Sequence, residues 1–261
     1  MLKTDFDKPK KIIVSRPYNL DTKEIIDPIT KYYNSAINKE LALKQHEELI
    51  SVLKDERIKV VEIENKYPYS VFTRDLGVLL NNNLFVVGNL RYSIRKRETE
   101  ILKEKLKELK INYIEIKDFF FEGGNIIIYD KDLIFLGISE RTDEKAINFF
   151  KQYAEVIPIK LPKEFIHLDL ALNFASRDLA IGYIDFKFND INYLKINMKY
   201  WYKMVPNFLV LKEYKIIAPE ENRDFLRILE KEGVDIIYVP FSEIMKAGGA
   251  VRCATLPIER S

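Results

Sequence analysis

The only cysteine in 261 residues stands beside a glycine pair, in Gly248-Gly249-Ala250-Val251-Arg252-Cys253-Ala254-Thr255-Leu256-Pro257. A thiolate is a strong nucleophile. A lone thiol becomes a candidate for covalent chemistry when a histidine and acids exist elsewhere in the chain. Two glycines admit backbone conformations closed to other residues and leave room for a ligand beside the chain. Val251, Leu256 and Ile258 read as a short strand, so Cys253 is expected where a glycine bend meets a strand. A buried, inert cysteine is the competing reading, because cysteine is among the residue types most often buried.

Four further clusters hold polar chemistry: Phe72-Thr73-Arg74-Asp75, Phe121-Glu122-Gly123-Gly124-Asn125, Ser139-Glu140-Arg141-Thr142 and His167-Leu168-Asp169. Four of the nine glycines form just two pairs, one beside Glu122 and one beside Cys253. That placement argues against turn filler. Of the two histidines, His46 falls on a Lys/Glu-rich helix and reads as a solvated face residue. His167 lies between Ile166 and Leu168 in what reads as an apolar strand. At a spacing of two, His167 and Asp169 then project to one face, and burying both requires partners for both. The bland alternative for His167 is a satisfied core histidine.

The elements that must position these clusters recur in a fixed order. Residues 11–15 read as a strand, 38–53 as an amphipathic helix and 60–63 as a strand. Residues 76–80 and 84–88 flank the Asn81-Asn82-Asn83 turn as a hairpin. A helix over 95–109 and a strand over 111–116 follow. The same order returns with strands 125–129 and 133–137, a helix over 141–153 and a strand over 156–159. Strands 170–174 and 179–183 come next, then a less regular aromatic stretch, 191–202, holding Trp201, for which core packing is the preferred reading over a lid or a subunit contact. Strand 215–218 leads into a helix over 220–232, stopped by Gly233 as a C-cap, and strand 235–239. The Cys253 strand would complete the first unit. A strand-strand-helix-strand module of about 45–50 residues thus appears nearly five times, a period that suggests a radial array. Short hairpins exclude a doubly wound parallel sheet, and a closed ring of small sheets leaves a central channel for a site. Equivalent positions in such a ring converge on its axis, which gives the clusters one shared site. No linker divides the chain, so residues 1–261 read as one catalytic domain.

Bulk properties exclude several classes. Lys+Arg 42 against Asp+Glu 40 leaves a formal net charge of +2, with no basic field for nucleic acid. One cysteine cannot form an internal disulfide, which suits a reducing, cytoplasmic home. The first residues show no signal-peptide pattern, and no window has the run of apolar residues a membrane helix needs.

In order along the chain, FTRD, EGG, SERT, HLD and GG-x-x-x-C-x-T-x-P resemble the guanidino-group modifying superfamily of arginine deiminases, dimethylarginine dimethylaminohydrolases and amidinotransferases. The resemblance runs from about Lys11 to Pro257, and its strength lies in the ordered set rather than in any one motif. It implies an α/β fold, a five-bladed αβ propeller of ββαβ modules, and a hydrolase that cleaves a C–N bond of a guanidino compound to a ureido product such as citrulline. It implies Cys253 as nucleophile, His167 as general acid and base, and Glu122 as the group that holds and charge-tunes His167. Asp75 and Asp169 would grip the guanidinium, Phe72 would pack near it, and Arg141 would take the substrate's carboxylate. No metal or other cofactor is required. The expected partner is a small guanidino substrate, with no nucleic acid and no membrane, and a homodimer is allowed.

Two departures stand out. Asn125 occupies a position usually held by Asp, which removes a charge near Glu122. Arg74 and the C-x-T-x-P form favour the deiminases, whereas the chain length suits the dimethylarginine hydrolases. Arg74 as a structural ion-pair partner is an equal alternative. The rival readings are an amidinotransferase, a propeller that binds without chemistry, and a metal hydrolase on His167, Asp169 and Glu122, the last disfavoured by the scarcity of imidazoles.

Overall fold

A computed structural model of the chain describes residues 1–64 and 66–261. Strand β1 (Pro9–Val14) is followed by helices α1 (Pro28–Tyr33) and α2 (Lys39–Asp55) and by β2 (Lys59–Glu62). The next two units are β3 (Gly77–Asn81), β4 (Leu84–Val87), α3 (Glu98–Glu108) and β5 (Tyr113–Glu115), then β6 (Ile126–Asp130), β7 (Leu133–Ile138), α4 (Lys145–Phe150) and β8 (Glu155–Lys160). The short helix α5 (Leu168–Ala171) leads into β9 (Leu172–Ser176), β10 (Leu179–Gly182) and β11 (Asn192–Lys195). The last unit has β12 (Leu209–Lys212), β13 (Lys215–Pro219), α6 (Arg223–Lys231) and β14 (Asp235–Val239), and the chain ends through α7 (Ser242–Met245) into β15 (Leu256–Arg260).

These strands form five three-stranded sheets. In each, the central strand pairs antiparallel with one neighbour and parallel with the other, as β4 does with β3 and β5. The last strand joins the first sheet: β15 pairs antiparallel with β1, which pairs parallel with β2. That closure makes the fold a five-bladed αβ propeller, as the module count predicts. The inner strands are almost wholly buried, β9 throughout, while the outer strands β2, β5 and β11 are partly open to solvent. Sequence patterning explains the order: strands covered on both faces read as continuous apolar runs such as Ile126-Ile127-Ile128.

Local signals hold where the turn chemistry is explicit. Asn81 caps its own hairpin turn by accepting from the Asn83 amide at 2.9 Å. Asn38 caps α2 by accepting from the Leu41 amide at 3.0 Å. Gly233 follows α6 with φ +86°, a left-handed C-terminal position that glycine fills without strain.

Four expectations need correction. The helix expected over 141–153 covers only Lys145–Phe150, because Ser139 and Thr142 form a β-bridge that holds the preceding turn. The fourth blade has no helix between β10 and β11. Its third strand is the start of the aromatic stretch, whose Trp201 is half-buried and packs edge-on against Tyr32 at 5.8 Å. Strand β12 was not foreseen: its hairpin turns at Glu213-Tyr214 without Gly or Asn, and Tyr214 takes φ +59°. Val251 belongs to a turn, and the strand begins only at Leu256.

His46 is also misread by its neighbours in sequence. It lies on the buried face of α2 with Ala42, Leu49, Ile50 and Leu53, wholly hidden from solvent, and neither ring nitrogen has a partner.

Candidate active site

Each blade sends the start of its innermost strand to the axis, and each start carries one or two polar groups. Asp75 sits in a single-turn 3-10 helix before β3, and Glu122 lies just before another such turn at Gly123–Asn125, ahead of β6. His167 and Asp169 precede β9, Asn207 precedes β12, and Cys253 precedes β15. All are buried. His167 is extended (φ −131°, ψ 150°) as the residue that opens α5, and Asp169 lies inside that helical turn. The two therefore do not share a strand face, as the spacing suggested. A tight turn brings both to the axis instead.

The imidazole is clamped between two acids. Its Nε2 lies 2.9 Å from Glu122 Oε2, and its Nδ1 lies 3.4 Å from Asp75 Oδ1. Glu122 in turn accepts from Arg141 Nη1 at 3.1 and 3.2 Å and from the Arg91 amide at 3.0 Å. Burial disfavours the imidazolium, but Asp75 and Glu122 outweigh it and raise the pKa of His167. For Glu122 burial acts against charge, and Arg141 and His167 prevail, holding the carboxyl well below the ordinary range. The pair is a carboxylate facing an imidazolium, the protonation state a general acid needs.

Cys253 lines the same narrow recess as Phe72, Asp75, Arg95, Arg141 and His167. Burial pushes the thiol pKa well above its ordinary value, and Asp169 and Asp75 push it further, while Asn207 lowers it. A cation placed between those acids would neutralise the two groups that oppose the thiolate.

Asp169 carries the clearest sign of a missing partner. Neither of its oxygens accepts a hydrogen bond, although Arg252 Nε approaches Oδ2 at 3.3 Å. Asp75 Oδ1 is likewise without a donor, its Oδ2 being taken by Arg95 Nη1. Three buried carboxylate oxygens thus await donors, a condition native proteins rarely leave unmet. Burial lifts Asp169 to about 6, partly offset by Arg252. A planar fork of N–H donors on a cation would satisfy these oxygens together.

The glycine pairs are explained by close approach. A Cβ at Gly124 would lie 2.7 Å from the His167 ring, and one at Gly249 would lie 2.6 Å from the Phe72 ring and 2.9 Å from Cys253 Cβ. Gly248 takes φ +94° with the Asp27 carboxylate against it, so both its conformation and its surroundings exclude a side chain.

Asn125 shows why an amide stands there. Its Nδ2 donates to the Ile166 carbonyl at 3.1 Å and its Oδ1 accepts from the Leu168 amide at 3.0 Å, gripping the chain on both sides of His167. An ionised aspartate could not make the first bond.

Three groups escaped the sequence reading. Arg95 bridges Asp75 and Glu98 and donates to the Phe72 carbonyl at 3.1 Å. Asp27 caps α1 and borders the recess; Asp27-Pro28 is a recognisable helix start, but nothing local ties it to a site. Asn207 was lost with its unforeseen strand. Arg74 is not an ion-pair partner of any carboxylate within 4 Å among the described residues; its amide donates to the Cys253 carbonyl at 3.0 Å. For a metal, the trio that converges is Asp75, Glu122 and His167, with ligand atoms within 4.8 Å of one another, rather than a set including Asp169. Arg95 and Arg141 already pair with its two carboxylates.

A thiol and an acid-clamped imidazole on the axis of an αβ propeller define the guanidino-modifying class of enzymes. Residues 16–260 match the family model described as N,N dimethylarginine dimethylhydrolase, eukaryotic, and the chain belongs to that family. It is a hydrolase of guanidino C–N bonds. Among curated proteins, the uncharacterised YkgA of Bacillus subtilis (strain 168) is 29% identical over 99% of this chain and 94% of its own. An arginine deiminase of Mycoplasma capricolum is 25% identical over 55% of this chain, and the matched part is about half (48%) of that protein's length. Among solved structures, the N-terminal domain of ArgZ, an arginine dihydrolase from cyanobacteria, superposes with TM-score 0.86 at 21% identity, over 97% of this chain and 98% of that one. A dimethylarginine-hydrolase (DDAH) mutant of Pseudomonas aeruginosa complexed with citrulline gives TM-score 0.80 at 21% identity, over 95% and 99%. Among the described residues no helix is long and apolar enough to cross a membrane.

Proposed function

We propose that the chain hydrolyses an arginine-type guanidinium, arginine or a methylated arginine, through a covalent Cys253 intermediate. The observation that carries this reading is the set of donor-less carboxylate oxygens on Asp75 and Asp169 beside the thiol. The substrate's guanidinium donates to them, with Phe72 against its plane. Its positive charge offsets the two acids that keep Cys253 protonated, so binding itself favours the thiolate. Sulfur then attacks the guanidinium carbon. The C–N bond to the departing nitrogen breaks as His167 gives that nitrogen a proton, releasing ammonia or an amine and leaving a thiouronium on Cys253. The neutral imidazole next takes a proton from water as the water oxygen adds to the same carbon. The C–S bond breaks, and the ureido product and free Cys253 result. The proton taken from water restores the imidazolium, which ionised Glu122, held by Arg141, stabilises.

Arg141 lines the recess, and its Nε makes no hydrogen bond, with Glu140 Oε1 at 3.6 Å, so Arg141 is assigned the role of binding the substrate's far carboxylate. The closure of β15 onto β1 supports residues 1–261 acting as one catalytic unit, and a thiol that must stay reduced suits the cytoplasm.

The test is a screen of arginine, methylated arginines, agmatine and guanidino acids for a ureido product, run beside Cys253→Ser. One of them should yield citrulline or its analogue with the wild type and none with the variant. Turnover that survives Cys253→Ser, or that a chelator abolishes, would overturn the mechanism.

A further inference from the structure

Beneath the catalytic recess the channel holds a second group of charges. Arg74, Arg252, Arg260 and Asp5 are all buried. Asp5 is saturated: Oδ1 accepts from Arg260 Nη2 at 2.8 Å, and Oδ2 accepts from Arg252 Nη2 at 3.3 Å and from the Ile128 amide at 3.1 Å. Arg252 also faces Asp169, and Arg260 Nη1 donates to the Asp5 and Asp7 carbonyls at 3.2 and 2.8 Å. Arg74 has no such partner. Its Nε makes one long bond to the Arg252 carbonyl at 3.4 Å, and its Nη2 is buried without an acceptor. The carboxylates near these three guanidinium groups are Asp5, Asp169 and, beside Arg260, Asp7, and none of them forms an ion pair with Arg74 within 4 Å among the described residues. Lys3 adds a further cation at the rim, where one of its three N–H groups goes to the Ser261 carbonyl.

Arg74, Arg260, Lys3 and Asp5 line a narrow recess with apolar walls that include Ile128 and Pro257. It has room for a single water-sized occupant. Burial, then the nearby Arg252, presses Arg74 down to about 9, with Asp5 and Asp169 only partly opposing the fall.

We propose that this recess binds a monatomic anion, a halide such as chloride, against the free Nη2 of Arg74. A tetrahedral oxyanion is too large for it, and a water would leave Arg74 without an anion in contact. The anion would steady the nucleophile from below, because the Arg74 amide holds the Cys253 carbonyl and Arg252 faces Asp169.

The probe is bromide on the full chain. Crystals soaked in sodium bromide should show an anomalous peak beside Arg74 Nη2. Melting should shift upward, saturably, in sodium chloride relative to sodium gluconate at equal ionic strength. Arg74→Met should abolish that shift; Lys3→Met, at a partly exposed rim position, should raise the half-saturating chloride concentration several-fold. A water that does not exchange for bromide, or equal melting in the two salts, overturns the proposal.

Discussion

The Nδ2 of Asn207 lies 3.2 Å from the Cys253 sulfur, while its Oδ1 accepts from the Ala250 and Cys253 amides at 3.1 and 3.2 Å. The two backbone donors fix the orientation of the amide: its oxygen must face them, so its N–H faces sulfur. One side chain thus shapes the Cys253 turn and favours the thiolate. Asn207→Asp keeps the shape and replaces the donor with an anion or an acceptor. The rate of Cys253 alkylation by iodoacetamide should fall about tenfold at pH 8, for each unit the thiol rises. An unchanged alkylation profile would remove Asn207 from this role.

Asp169→Asn separates binding from thiol activation. Loss of a charge-assisted bond to the substrate should weaken it by about 1.5–3 kcal/mol, read as a rise in KM of about ten- to a hundredfold. The same change removes a group that pushes the Cys253 thiol up, so the free enzyme should alkylate faster than wild type. A variant with unaltered KM would place the guanidinium elsewhere.

Activity should follow a bell-shaped pH profile. Asp169 must be ionised to hold a cation, and its value of about 6 sets an acid limb for kcat/KM near that pH. On the alkaline side His167 must carry its proton, and its raised pKa moves that limb above the usual imidazole range. A kcat/KM that stays flat through pH 5–7 would contradict the assignment of Asp169.

His46 governs acid stability rather than catalysis. Burial, then the neighbouring Arg16, lowers it from 6.5 to about 4 in the folded chain. Between those values the unfolded chain binds a proton that the folded one refuses, so stability is complete above about pH 6.5 and is lost as pH falls towards 4. The shift corresponds to about 3 kcal/mol. His46→Leu should flatten the fall of the melting temperature between pH 6.5 and 4; a variant as acid-labile as wild type would show that another group is responsible.

The buried residues that meet on the axis were legible where each brings a local mark. Cys253 and Glu122 sit beside glycine pairs, His167 has an acid two residues on, and Asp75 falls just before a hairpin signalled by three asparagines. Asn207 carried no such mark, because its hairpin turns on Glu213 and Tyr214, residues with no turn preference, and the fifth blade's axial position went unseen. His46 failed in the opposite way: its Lys/Glu-rich neighbours describe the exposed face of α2, while the ring itself points inward.

The sequence by itself determined the near five-fold recurrence and singled out Cys253, His167 and Glu122 as candidates, since period and residue type are local properties of the chain. Only the tertiary structure decided which charges meet. His167 on Glu122 and Asp75, Arg252 on Asp169 and Asn207 on sulfur join residues from different blades. Their proximity is set by ring closure through β15 and β1, where electrostatics acts through space and separation along the chain carries no information.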